Sequence, residues 1–145
     1  MKLLWLCNMV PGKVKEAVSG GSTGEKAVLQ EAALTASRAV SSKTTIGVLE
    51  GLLGREDLNI RILCPGDGGE GNVNERCSYA FFSEGLPYVY LTELETQFRG
   101  ELDTFQPDVI HVWGTEYGHT LAMVNAAEKA GRLDSLVVSI QGLCS

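Results

Sequence analysis

The sequence predicts a single Rossmann-like α/β domain, a parallel sheet sandwiched between two helical layers, and three observations carry that prediction. Two short, unbroken apolar runs, Leu3–Cys7 and Val109–Trp113, each stop at polar or glycine residues. Strands tolerate such runs only when both faces are covered. Stretches with helical spacing lie between the extended segments, and strand–helix alternation gives right-handed βαβ units. The 145 residues are enough for one buried core, with 44% hydrophobic and 21% charged residues.

The elements follow in order. Leu3–Cys7 is the first strand, closed by Asn8 and Pro11–Gly12. Ser-Gly-Gly-Ser-Thr-Gly at 19–24 has the composition of a turn or linker, and 25–40 carries an Ala-rich amphipathic pattern. Residues 19–45 therefore read as an insertion that buries little area and could be cut back with a small loss of stability. A helix carrying Val48, Leu49, Leu52 and Leu53 ends near Gly54, and Gly47 is placed at its start. Residues 58–64 alternate into a second strand, and 65–76, with glycines at 66, 68, 69 and 71, read as a surface loop. Ser78–Ser83 and Leu86–Leu91 read as extended. Thr92-Glu93-Leu94-Glu95 has the form of a capping box, followed by the stripe Leu94, Phe98, Leu102 and Phe105 and the stop at Pro107. After Val109–Trp113, a helix over 117–130 is expected to turn Leu121, Val124 and Ala127 inward and to close at Gly131. Leu136–Ile140 is the last strand. The expected strand order is near 3-2-1-4-5.

Composition removes several functions. A net charge of −6 argues against nucleic-acid or anionic-membrane partners. The apolar start is too short for a signal core or a membrane span, so the expectation is a soluble, cytoplasmic protein. Cysteines 7, 64, 77 and 144 form no C-x-x-C pair, which predicts free, buried thiols and no metal centre. Gly20–Lys26 resembles a phosphate loop, but Glu25 stands where that motif requires Lys. A flavodoxin-like receiver needs an acidic cluster after the first strand, where Cys7–Asn8 stand.

In open α/β sheets ligands bind outside the carboxyl ends of the strands. The candidate site residues are therefore Asn8, Gly47, Trp113, Thr115, Glu116, His119 and Gln141. Gly47 would let a backbone approach a ligand at a helix N-terminus. His119, in the first turn of the following helix, can point into the crevice mouth. His111 reads as a half-buried strand histidine, and no catalytic residue is singled out.

Four segments carry a resemblance: Met1–Asn8, Gly47–Leu53, Pro107–Thr120 and Val137–Leu143. Together they resemble the N-terminal domain of retaining glycosyltransferases of the GT-B fold, of the group 1 (family 4) kind that build bacterial surface glycans. The resemblance spans about 1–18 and 46–145, and its most specific block is Pro-Asp-Val-Ile-His-Val-Trp-Gly-Thr-Glu-Tyr-Gly-His-Thr. It implies two Rossmann-like domains facing a cleft, the first binding the glycan acceptor and the second the nucleotide sugar, with no metal or other cofactor. It also implies that this chain is the acceptor-side half, with the donor domain absent, and is inactive alone. Gln141 stands where many relatives carry His; Gln cannot act as a base but can hydrogen-bond sugar hydroxyls. In such a transfer the leaving phosphate can take the acceptor proton. Ile46 stands where relatives often have a second glycine. The competing reading is a free-standing Rossmann-like module that binds a small molecule or nucleotide without catalysis.

Overall fold

The computed structural model describes residues 1–19, 42–83, 89–115 and 117–140, the side chains of 42–46 excepted. The elements are β1 (Lys2–Leu6), α1 (Gly12–Ser19), α2 (Ser42–Leu53), β2 (Asn59–Pro65), β3 (Glu70–Asn74), β4 (Cys77–Phe82), α3 (Thr92–Phe105), β5 (Val109–Trp113), α4 (Gly118–Lys129) and β6 (Leu136–Ser139). They form a six-stranded sheet in the order β3-β4-β2-β1-β5-β6. β1, β2, β4, β5 and β6 are mutually parallel, and numbered among themselves they run 3-2-1-4-5, the order expected of a Rossmann-like sheet. β1 lies at the centre between β2 and β5, as the two unbroken apolar runs require.

Alternation along β1 splits the core in two. Leu4 and Leu6 face α3 and α4, packing with Leu63, Phe82, Phe98 and Met123. Trp5 and Cys7 face the other way and pack with Val14 of α1, Leu49 of α2, Ile62 and Cys64. Each large apolar side chain so buried contributes about 1.5–3 kcal/mol, and a strand buried on both faces gains it from every position.

Several expectations are corrected. β3, Glu-Gly-Asn-Val-Asn, lies inside the Gly-rich stretch read as a loop and pairs antiparallel with β4, with a register shift between Asn72 and Asn74. The hairpin is anchored by Arg61 of β2, whose guanidinium donates to Glu101 of α3 at 2.9 and 3.0 Å, to Glu70 at 2.7 Å and to Ser78 at 3.2 Å. Of the segment read as extended over Leu86–Leu91, residues 86–88 lie outside the described ones, and 89–91 join no strand, although Leu91 is itself extended (φ −111°, ψ 118°). The capping box does not form. Leu91, not Thr92, is the N-cap and no side chain caps the helix; Glu95 is instead engaged by Tyr90 and Lys129. α4 turns His119, Ala122, Met123, Ala126 and Ala127 inward and leaves Leu121 exposed, so its buried face is rotated from the expected stripe. Small residues at 122, 126 and 127 let α4 pack closely against α3. α1, at the start of the chain's first crossover, was not anticipated. Of the segment read as an insertion, Ser19 closes α1 and 42–45 open α2; residues 20–41 lie outside the described ones.

Two ends of helices behave as expected. α3 stops before Pro107 with Gln106 in the left-handed region (φ 52°), its N–H donating to the Leu102 carbonyl. Gly131 (φ 69°) follows α4. Among the described residues no helix is long and apolar enough to cross a membrane.

Candidate functional site

The parallel strands deliver β1 and β5 side by side, Leu6 beside Val112, so the residues after them meet at the carboxyl end of the sheet. Gly114 turns the chain there. Its φ of 91° is a conformation that L side chains rarely adopt. Its N–H continues the sheet by donating to the Ser139 carbonyl at 2.8 Å. Its carbonyl, left over by the turn, accepts from the buried Thr120 hydroxyl at 2.9 Å. A side chain at 114 would stand 3.4 Å from the Asn8 amide and 3.5 Å from the Tyr117 ring. Asn8, Gly114 and Tyr117 are thus gathered at one point, on the first turn of α4.

Around them lies an aromatic wall. Tyr117 stacks flat on His119, ring centroids 5.1 Å apart at 7°. His119 also lies 5.1 Å from Phe82. It is only 2% exposed, so it supports the rim from below and does not reach the crevice mouth as expected. Trp113, 9% exposed, packs on His111 (4.6 Å) and edge-on to Trp5 (5.6 Å). The indole N–H groups of Trp5 and Trp113 are buried without a hydrogen-bond partner. His111 is half-buried, its Nε2 2.7 Å from the Ser139 hydroxyl, and burial lowers its pKa. Thr115 is exposed on the rim.

Gly47 is corrected. α2 begins at Ser42, so Gly47 lies within the helix, past the first turn whose N–H groups are free. Residues 42–45 read as the end of an insertion, which sets the expected start of the helix too late. Glu116 and Gln141 lie outside the described residues.

Sequence reasoning missed Tyr117, Gly118 and Thr120. Gly118 meets the segment entering α3: a Cβ there would stand 2.5 Å from the Val89 carbonyl oxygen. Next to it, Tyr90 donates to Glu95 and accepts from Asn125 at 3.1 Å, while Lys129 donates to Glu95. Lys129 first, and Tyr90 second, hold the Glu95 carboxyl below its usual pKa. The signal available for Gly118 was a glycine inside a helical pattern, which often marks close backbone approach.

Three of the four thiols are placed as expected, and Cys144 lies outside the described residues. Cys7, Cys64 and Cys77 are free and buried. Burial pushes Cys7 well up, Cys64 to about 12 and Cys77 to about 11, which makes them poor nucleophiles. Among the described residues no three His, Cys, Asp or Glu side chains converge on a metal position.

No protein-family model, curated protein or solved structure matches this chain.

Proposed function

We propose that this chain is the acceptor-binding half of a glycosyltransferase that moves a sugar from a nucleotide sugar to a surface-glycan acceptor. The observation that carries the proposal is the cluster of Asn8, Trp113, Gly114, Thr115 and Tyr117 at the carboxyl ends of β1 and β5. Most of these residues come from the block 107–120 that carries the family resemblance. Their chemistry suits a sugar. Amide and hydroxyl groups exchange hydrogen bonds with sugar hydroxyls, and aromatic rings present apolar faces with polar edges. Ligands of open α/β sheets bind at this end.

In this reading His119 positions Tyr117 and does not touch the acceptor, and no residue of the chain is assigned a proton-transfer role. The donor's diphosphate would be held by a second domain, so the 145-residue chain alone should bind nucleotide sugars poorly. Calorimetry of this chain with a panel of UDP- and GDP-sugars tests that. Dissociation constants weaker than about 1 mM, which is about −4 kcal/mol, are expected. Micromolar binding would contradict the proposal and favour a self-contained nucleotide-binding module.

A further inference from the structure

Two buried thiols stand side by side at the carboxyl ends of β1 and β2. The register of these strands sets Leu6 beside Leu63, and the Cys7 N–H donates to the Leu63 carbonyl at 2.9 Å. In a parallel ladder that bond sets Cys7 opposite Cys64. Both side chains project to the α1/α2 face, both are 0% exposed, and both belong to one apolar cluster. Opposed residues of neighbouring strands are about 4.7–4.9 Å apart. A disulfide draws its two Cβ atoms to about 3.5–4.5 Å, closer than the ladder holds them. Two metal–thiolate bonds of about 2.3 Å each, laid end to end, span about 4.6 Å. The spacing therefore suits a linear sulfur–metal–sulfur bridge better than a disulfide.

The surroundings suit one class of ion. The β1–β5 register, Leu6 beside Val112, brings Trp113 level with Cys7 on its other side. Trp5 precedes Cys7 by two residues, on the same face. These two tryptophans carry the buried indole N–H groups that have no hydrogen-bond partner. An indole N–H only donates, and a thiol sulfur accepts weakly. An ionised acceptor takes the same bond about twice as strongly, so a pair of metal-bound thiolates supplies what the two indoles lack. Two thiols are too few for Zn(II), which takes four ligands, whereas soft thiolate ligands select Cu(I). Among the described residues no set of three or more His, Cys, Asp or Glu side chains offers a larger site. Both cysteines stand where strands give way to loops, after Leu6 and at the end of β2, so an ion has a loop to pass and not the packed middle of the sheet.

We propose that Cys7 and Cys64 form a two-thiolate site for one copper(I) ion, with the indole N–H groups of Trp5 and Trp113 donating to the thiolates. Binding breaks two S–H bonds, forms two Cu–S bonds and releases both protons to solvent; the copper stays Cu(I), so no oxidant or reductant enters. The proposal is independent of the glycosyltransferase reading. Titration of the reduced 145-residue chain with Cu(I) under argon, against a coloured Cu(I) chelator, tests it, and X-ray absorption of the loaded chain reads the ligands. One ion per chain is expected, with two sulfur neighbours and no third. Cys7→Ala and Cys64→Ala should each leave the copper with the chelator. The controls are Cys77→Ala, opposite Ile60 at the amino end of the sheet, and Cys144→Ala; both should bind as the wild type does. Trp113→Phe, which keeps a ring and drops the N–H, should weaken binding by about tenfold or more. Circular dichroism checks that each variant folds, and the X-ray absorption of the wild type decides even where a variant does not. A folded wild-type chain that leaves the copper with the chelator would overturn the proposal. So would a third sulfur about the metal, binding kept in Cys7→Ala or Cys64→Ala, or binding lost in either control. An unchanged affinity in Trp113→Phe would overturn the part given to its indole.

Discussion

The amino and carboxyl ends of the central strands are held in opposite ways. At the amino end the chain is tied by ordinary bonds. Met1 donates its terminal ammonium to the Asp57 carbonyl at 2.8 Å, Lys2 N–H donates to the Asp108 carboxylate at 2.7 Å, and Asp108 N–H returns a bond to Lys2 at 2.8 Å. Arg132 adds a bond to the Pro107 carbonyl at 3.0 Å. At the carboxyl end the bonding is specialised. A glycine takes a left-handed turn, a hydroxyl is buried to satisfy one carbonyl, a histidine is buried under a tyrosine, and two indole donors go without partners. Each unmatched buried donor carries a desolvation cost of about 1–3 kcal/mol. The lesson is a division of labour: one end stabilises the sheet, and the other carries costs that stability alone does not explain.

The sharpest way to break that comparison is at Gly118. A Cβ there drives against the backbone of Val89, which cannot yield as a flexible side chain would. Gly118→Ala should destabilise the fold by about 1–3 kcal/mol, the usual cost of overpacking, read from urea denaturation. An unchanged midpoint would show that residues 89–91 are not seated on α4.

Asp108→Ala probes the other end. It removes the acceptor for Lys2 N–H at an exposed site, so a loss of about 0.5–1.5 kcal/mol is expected, with ligand binding at the opposite end unaltered. A change in binding would deny that the two ends act separately.

His111 gives the smallest effect. Burial lowers its pKa in the folded state, so acid protonates the unfolded chain first. Its contribution is complete above the unfolded value of about 6.5 and is lost as pH falls from there through the lower folded value. Partial exposure screens the effect, which should stay below about 1 kcal/mol between about pH 7 and pH 5. Denaturation of His111→Gln across that interval should show a flatter pH dependence than the wild type; an unchanged slope would remove His111 as its source.

What could be read from the sequence follows from where the determining contacts lie. The central place of β1 and its pairing with β5 were legible because unbroken apolar runs have few alternatives. The α3 stripe of Leu94, Phe98 and Leu102 was legible because its period is local. β3 was hidden: glycine and acidic residues signal a loop, and only Arg61, from another strand, and pairing with β4 make it extended. Glu95 looked like a cap residue until Lys129, 34 positions away, claimed it. The rim was half legible. Trp113 and Asn8 follow from strand ends, whereas the burial of His119 depends on Phe82 and Tyr117 closing over it.

The central claim is that the carboxyl end of β1 and β5 is the ligand-binding end. Titrating the nitrogen-15-labelled chain with a panel of neutral surface-glycan oligosaccharides, followed by amide and indole N–H resonances, tests it most directly. The account predicts shifts at Asn8, Gly114, Thr115 and the Trp113 indole, with Lys2, Asn59, Arg76 and Asp108 unmoved. Shifts confined to the amino end, or none with any glycan of the panel, would contradict it.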